Sequence, residues 1–94
     1  MQTFYIKARG SSFYNNLDKV KEGDELEMLW GIEDYPQAIQ LLKDGNILGV
    51  IPKETAEKMF YYKNTIKKKY KAFLSNFNLH EEKRVGFNIR LEVT

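Results

Sequence analysis

From Phe87 to Val93 the chain reads Phe-Asn-Ile-Arg-Leu-Glu-Val, and Phe87, Ile89, Leu91 and Val93 fall on every second position. Side chains of an extended strand alternate between two faces, so a period of two predicts a strand with one dry and one wet face. Such a strand needs antiparallel partners patterned in the same way. Residues 25–31 repeat the pattern, with Glu25 and Glu27 facing out and Leu26, Met28 and Trp30 facing in. Residues 3–8 (TFYIKA), aromatic and β-branched, predict another strand. Two apolar runs, 38–42 and 47–51, flank Lys43-Asp44-Gly45-Asn46. Asp-Gly between such runs predicts a hairpin whose central residues take positive φ. Tyr70, Ala72 and Leu74 also alternate, whereas Ile66, Tyr70, Phe73 and Phe77 would fit a helix. The closing strand decides for a strand from about Tyr70, joined to it by a hairpin from His80 to Val85.

The segments between these strands are short. Gly10-Ser11-Ser12 breaks the first strand, and Leu17 and Val20 suggest a short helical turn near 15–20. Ile32 to Pro36, with two acids and a proline, reads as a loop. Pro52 closes a strand and opens a helix at about 53–63, where Ala56, Met59 and Phe60 share one face. Strands outnumber helices, so the expected class is mainly β with minor α. The expected fold is a single domain over residues 1–94: a small antiparallel β-barrel of about six strands with one main helix.

Composition removes several functions. With no cysteine, neither a disulfide framework nor a thiolate zinc site is available. One histidine, His80, makes no His-rich cage. No apolar run reaches the roughly 18–20 residues that span a bilayer, and MQTFYIKARG lacks the apolar stretch of a secretory signal. A soluble, intracellular, cytoplasmic domain is the expectation. Net charge is only +2, but it is unevenly spread. Residues 1–52 hold five basic and eight acidic residues, and residues 53–94 hold ten basic and five acidic ones. Such a basic half suits a polyanion.

No constellation supports catalysis. His80 lies in the polar stretch HEEKR without a nucleophile at a telling spacing, and Glu33-Asp34 has no second acidic cluster to complete a metal site. Gly45 to Gly49 is spaced for a hairpin rather than for a phosphate loop. The chain is therefore expected to be no enzyme and to carry no metal or cofactor. Lys63, Lys67, Lys68, Lys69 and Lys71 interleave with Tyr61, Tyr62 and Tyr70. Lysines neutralise phosphates and tyrosine faces stack on unpaired bases. The competing reading is a solvated edge that blocks strand aggregation, with Tyr61 and Tyr62 packing the helix on the barrel. Phe13-Tyr14 is a further aromatic pair; on an extended backbone at most one ring would be core and the other exposed.

The order FYIKARGSSFYNN, EGDELEMLW, EDYPQAIQLL, GNILGVIPKETAEKM and GFNIRLEV resembles the HIRAN domain over nearly the whole chain. Its sharpest piece is Leu48 to Ala56, LGVIPKETA, about ten residues after Ala38-Ile39. The resemblance implies an OB-like barrel that binds single-stranded DNA, including at 3′ ends, in a DNA-repair setting beside a helicase or nuclease partner. By the same resemblance, Ser12, Phe13 and Tyr14 match the turn that carries the first aromatic. Tyr35 would stack, Asp34 would meet a terminal sugar hydroxyl, and Lys53 and Arg9 would meet phosphates. Asp34 precedes Tyr35 here, where the family has Tyr before Asp, and Val50 stands where many members have an aromatic or histidine. The alternative function is a protein-interaction or assembly module that uses exposed Phe13, Tyr35, Tyr61 and Tyr62 without binding nucleic acid.

Overall fold

The alternation of residues 87–93 becomes the floor of the core. Phe87, Ile89, Leu91 and Val93 are all buried, and Phe87 and Ile89 are wholly inaccessible. A computed structural model describes residues 1–32 and 34–94; Glu33, half of the expected Glu33-Asp34 pair, lies outside the described residues. Its strands are β1 (Gln2–Lys7), β2 (Glu25–Ile32), β3 (Tyr35–Lys43), β4 (Asn46–Val50), β5 (Tyr70–His80) and β6 (Lys83–Val93). Its helices are α1, the single turn Ser11–Tyr14, and α2 (Lys53–Thr65), with a 3-10 turn at Leu17–Lys19. The strands form one antiparallel six-stranded sheet in the order β1-β6-β5-β2-β3-β4.

Strand β2 bends this sheet. Its first residues pair with β5 (Glu25 with Phe73, Leu26 with Ala72), and its later ones pair with β3 (Glu27 with Leu42 through Ile32 with Tyr35). The register shifts between Trp30 and Ile32, where Gly31 takes φ 86°. Between the Trp30–Ile39 and Ile32–Tyr35 pairs β3 has two more residues than β2, and such a bulge deepens the local twist and bends the strand. The inner face holds Leu26, Ile39, Leu41, Leu48 and Leu74, and α2 covers it by packing Ala56 and Met59 against β3.

The Asp44-Gly45 hairpin forms as expected, with both residues at positive φ (50° and 81°). Other expectations are corrected. The 32–36 loop contracts: Ile32 and Tyr35 already pair, and Pro36 lies within β3. The last hairpin is also tighter, because His80 pairs with Lys83 and only Glu81 and Glu82, both at positive φ, make the turn. His80 and Val85 are thus strand residues. The expected turn near 15–20 becomes two turns, at 11–14 and 17–19, and α2 runs to Thr65 rather than stopping near residue 63.

The barrel does not close. One isolated antiparallel bridge, Arg9 to Val50, links the segment after β1 to the end of β4, and β1 otherwise pairs with β6 alone among the described residues. The reason is Pro52. Continuing the Arg9–Val50 register would set Lys7 opposite Pro52, which has no N–H to give and starts α2. The chain leaves the sheet where closure would begin.

Candidate nucleic-acid interface

The Arg9–Val50 bridge positions the candidate site. The Arg9 N–H donates to the Val50 carbonyl at 2.9 Å, and the Val50 N–H donates to the Arg9 carbonyl at 2.8 Å. Residues directly opposite in an antiparallel pair project to the same face. The Arg9 side chain therefore shares a face with Val50, and through the Gln40–Val50 and Leu29–Gln40 pairs with Gln40 and Leu29. This outer row is half-buried or exposed, while Ile39, Leu41 and Leu48 turn inward. Gly49 makes the approach possible, because a Cβ there would lie 2.7 Å from the Arg9 carbonyl oxygen and 3.0 Å from the Phe87 ring.

Two depressions flank this bridge. One, of about 260 Å³, runs between β3, the end of β4 and the first turns of α2, and brings Tyr35 and Lys53 together with Val50 and Ile32. The other, of about 450 Å³, brings Arg9 and Ser12 together with Lys7, Pro52 and Val85. The segment 50–53 contributes to both: Val50, Ile51 and Lys53 line the first and Pro52 lines the second. Arg9, Ser12, Tyr35 and Lys53 are exposed.

The remaining expected residues sit outside both depressions. Asp34 is an exposed turn residue beside Tyr35. Phe13 and Tyr14 lie on helical rather than extended backbone, which corrects the expected backbone, and neither ring belongs to the core. Phe13 is 83% exposed and meets the half-buried Tyr14 edge-on at 5.1 Å between centroids. The Tyr14 ring covers Gly10, whose φ of 76° opens α1.

The lysine–tyrosine stretch breaks up in the fold. Lys63 stands over the Trp30 ring at 5.0 Å, and Tyr70 leans on Trp30 at 5.9 Å. Burial, then the neighbouring Tyr62, raises the Tyr70 hydroxyl above its ordinary 10.0. Tyr61 and Tyr62 stay exposed and pack edge-on with each other, contrary to a role as helix–sheet filler. Arg84, counted in the basic half, is structural. Its Nη1 donates to the Leu17 and Val20 carbonyls at 2.9 and 3.0 Å, and its guanidinium lies 3.9 Å from the Phe77 ring centroid.

Sequence reasoning missed Gln40 and Gly49. A glycine inside a strand pattern marks close backbone approach, and that signal was present at Gly49; nothing in the local pattern singled out Gln40. No group of three or more His, Asp or Glu converges among the described residues, and no helix is long and apolar enough to cross a membrane. Comparison with family models, curated proteins and solved structures finds no match to the chain.

Proposed function

We propose that this chain is a non-enzymatic nucleic-acid-binding domain, an unclosed HIRAN-like variant of the OB fold, that takes single-stranded DNA, including 3′ ends. One observation carries the reading. The Arg9–Val50 pair sets the depression lined by Arg9 beside the one lined by Val50, Tyr35 and Lys53, so two cations and an exposed ring border neighbouring depressions. Cations that meet phosphates and a ring that stacks on a base are the parts a single strand requires. Phe13, exposed on the adjoining turn, supplies a second ring, and Ser12 a hydroxyl beside Arg9. In this reading Asp34 accepts a hydrogen bond from a terminal sugar hydroxyl next to the Tyr35 ring. A helicase or nuclease would be the natural companion, since a few such contacts give weak binding that tethering strengthens.

Fluorescence anisotropy with short oligonucleotides at low salt tests the proposal. Binding that weakens with added salt is expected; none at high micromolar protein, with either end chemistry, rejects it. A free 3′ end should bind more tightly than a phosphorylated one, and equal affinities discard the Asp34 role. The rival is a protein-interaction module, favoured by the exposure of Phe13, Tyr35, Tyr61 and Tyr62. Its signature is salt-insensitive self-association without oligonucleotide binding.

A further inference from the structure

Where the sheet fails to close, it leaves a strand-shaped slot. The Ala8 N–H donates to the Phe87 carbonyl of β6 at 3.0 Å, while the Arg9 N–H turns the other way, to Val50. Backbone groups alternate between the two edges of an antiparallel strand. Gln2, Phe4 and Ile6 therefore address β6, and Thr3, Tyr5 and Lys7 turn their N–H and C=O groups to the open edge. Among the described residues, no hydrogen bond of the fold uses those edge groups. The strand that would have met them is the continuation of β4, which Pro52 diverts into α2.

The vacated space is a groove of about 550 Å³ between β1 and α2. Phe4, Tyr5 and Ile6 all border it, although consecutive strand residues face opposite ways, so the groove reaches the backbone edge itself. Its floor is apolar, with Met59, Tyr62 and Leu91. Phe4 faces the core yet is 47% exposed, because nothing in the fold covers it there. The charges along the groove are Lys58 and Lys68, and none of its lining residues is acidic.

We propose that β1 takes up an extended acidic peptide by strand addition, independently of the nucleic-acid reading. Main-chain bonds to Thr3, Tyr5 and Lys7 would supply affinity. Alternate apolar side chains of the peptide would fill the groove beside Phe4 and Met59, and its carboxylates would meet Lys58 and Lys68. A second copy of β1 fits less well: the segment Gln2–Lys7 carries Lys7 and no acid, so it offers nothing to the two rim lysines. An apolar anion such as a fatty acid would leave the edge donors and acceptors unused.

The test uses the full chain and a fluorescein-labelled heptapeptide of alternating valine and glutamate. Binding is expected, with slowed deuterium exchange at the Thr3, Tyr5 and Lys7 amides. Tyr5→Pro removes one open-edge N–H without touching the β6 ladder, and should weaken binding about ten-fold while leaving the thermal midpoint in place. The double variant Lys58→Glu/Lys68→Glu, which leaves the β1 backbone intact, should also weaken it and so provides a check if Tyr5→Pro misfolds. The proposal is overturned if the peptide does not bind or if these amides gain no protection. It is also overturned if a valine–lysine heptapeptide binds equally well. A dimer in sedimentation that Tyr5→Pro dissolves would assign the edge to a second copy. Displacement of the peptide by laurate without amide protection would assign the groove to an apolar anion.

Discussion

The carbonyl oxygen of Arg9 occupies the space beside Gly49 where any other residue would place its Cβ, at 2.7 Å. The Phe87 ring closes the same space from another side at 3.0 Å. One backbone atom and one core ring thus make glycine necessary where β4 meets the segment after β1. Gly49→Ala should lower stability by about 1–3 kcal/mol through overpacking, measured by urea unfolding. It should also weaken oligonucleotide binding, because the clash is relieved by moving Arg9 away from Val50.

Phe87 is the largest wholly buried side chain. Phe87→Ala should cost about 3–5 kcal/mol, a large share of the roughly 5–15 kcal/mol that such domains possess. Circular dichroism melting should show a broad transition at a much lower temperature, or none.

Arg84 joins β6 to the 3-10 turn through the Leu17 and Val20 carbonyls. Arg84→Ala should cost about 2 kcal/mol, in the range of hydrogen bonds made by a charged donor. Arg84→Lys should recover less than half, since an ammonium lacks the planar group that covers Phe77. Comparing the urea midpoints of the two variants checks both statements.

On the proposed nucleic-acid surface, the two sides of the Tyr35–Lys53 groove should respond differently. Tyr35→Ala should weaken single-strand binding by about 1–3 kcal/mol, the worth of one stacked base, with the salt dependence unchanged. Lys53→Ala should weaken binding across sequences and reduce the slope of log affinity against log salt by about one. Anisotropy titrations at several salt concentrations separate the two effects.

Tyr70 carries a pH signature. Its hydroxyl titrates above 10.0 in the fold because burial and Tyr62 disfavour the phenolate, so the folded protein holds this proton more tightly than the unfolded chain. Its stabilising contribution is intact below pH 10.0 and is lost as pH rises from there through the raised folded value. Urea midpoints followed upward from that pH should fall less steeply in Tyr70→Phe than in the unaltered protein.

Much of the sheet was legible locally, because the relevant physics is local. The period of two in 25–31 and 87–93 records which residues stay dry, and Asp44-Gly45 records a turn whose φ values few other pairs adopt cheaply. The turn at Glu81-Glu82 was not legible: two glutamates give no turn signal, and the β5–β6 ladder imposes their positive φ. Phe13-Tyr14 was misjudged for a related reason. Its helical turn depends on the left-handed Gly10 and on packing against β4 and β6, contacts far off in sequence.

The candidate site divides in the same way. Arg9, Tyr35 and Lys53 were readable as residue types, but the placing of Arg9 beside the depression that holds the other two depends on one bridge, Arg9 with Val50. Sequence by itself determined the strands, their dry faces and the helix that follows Pro52, since each depends on side-chain period or on a missing N–H. Tertiary structure alone decided that the sheet stays open, that Arg84 is tied down rather than free, and that β1 keeps a bare edge. Those outcomes follow from hydrogen bonds and close contacts between residues far apart along the chain, which no local pattern encodes.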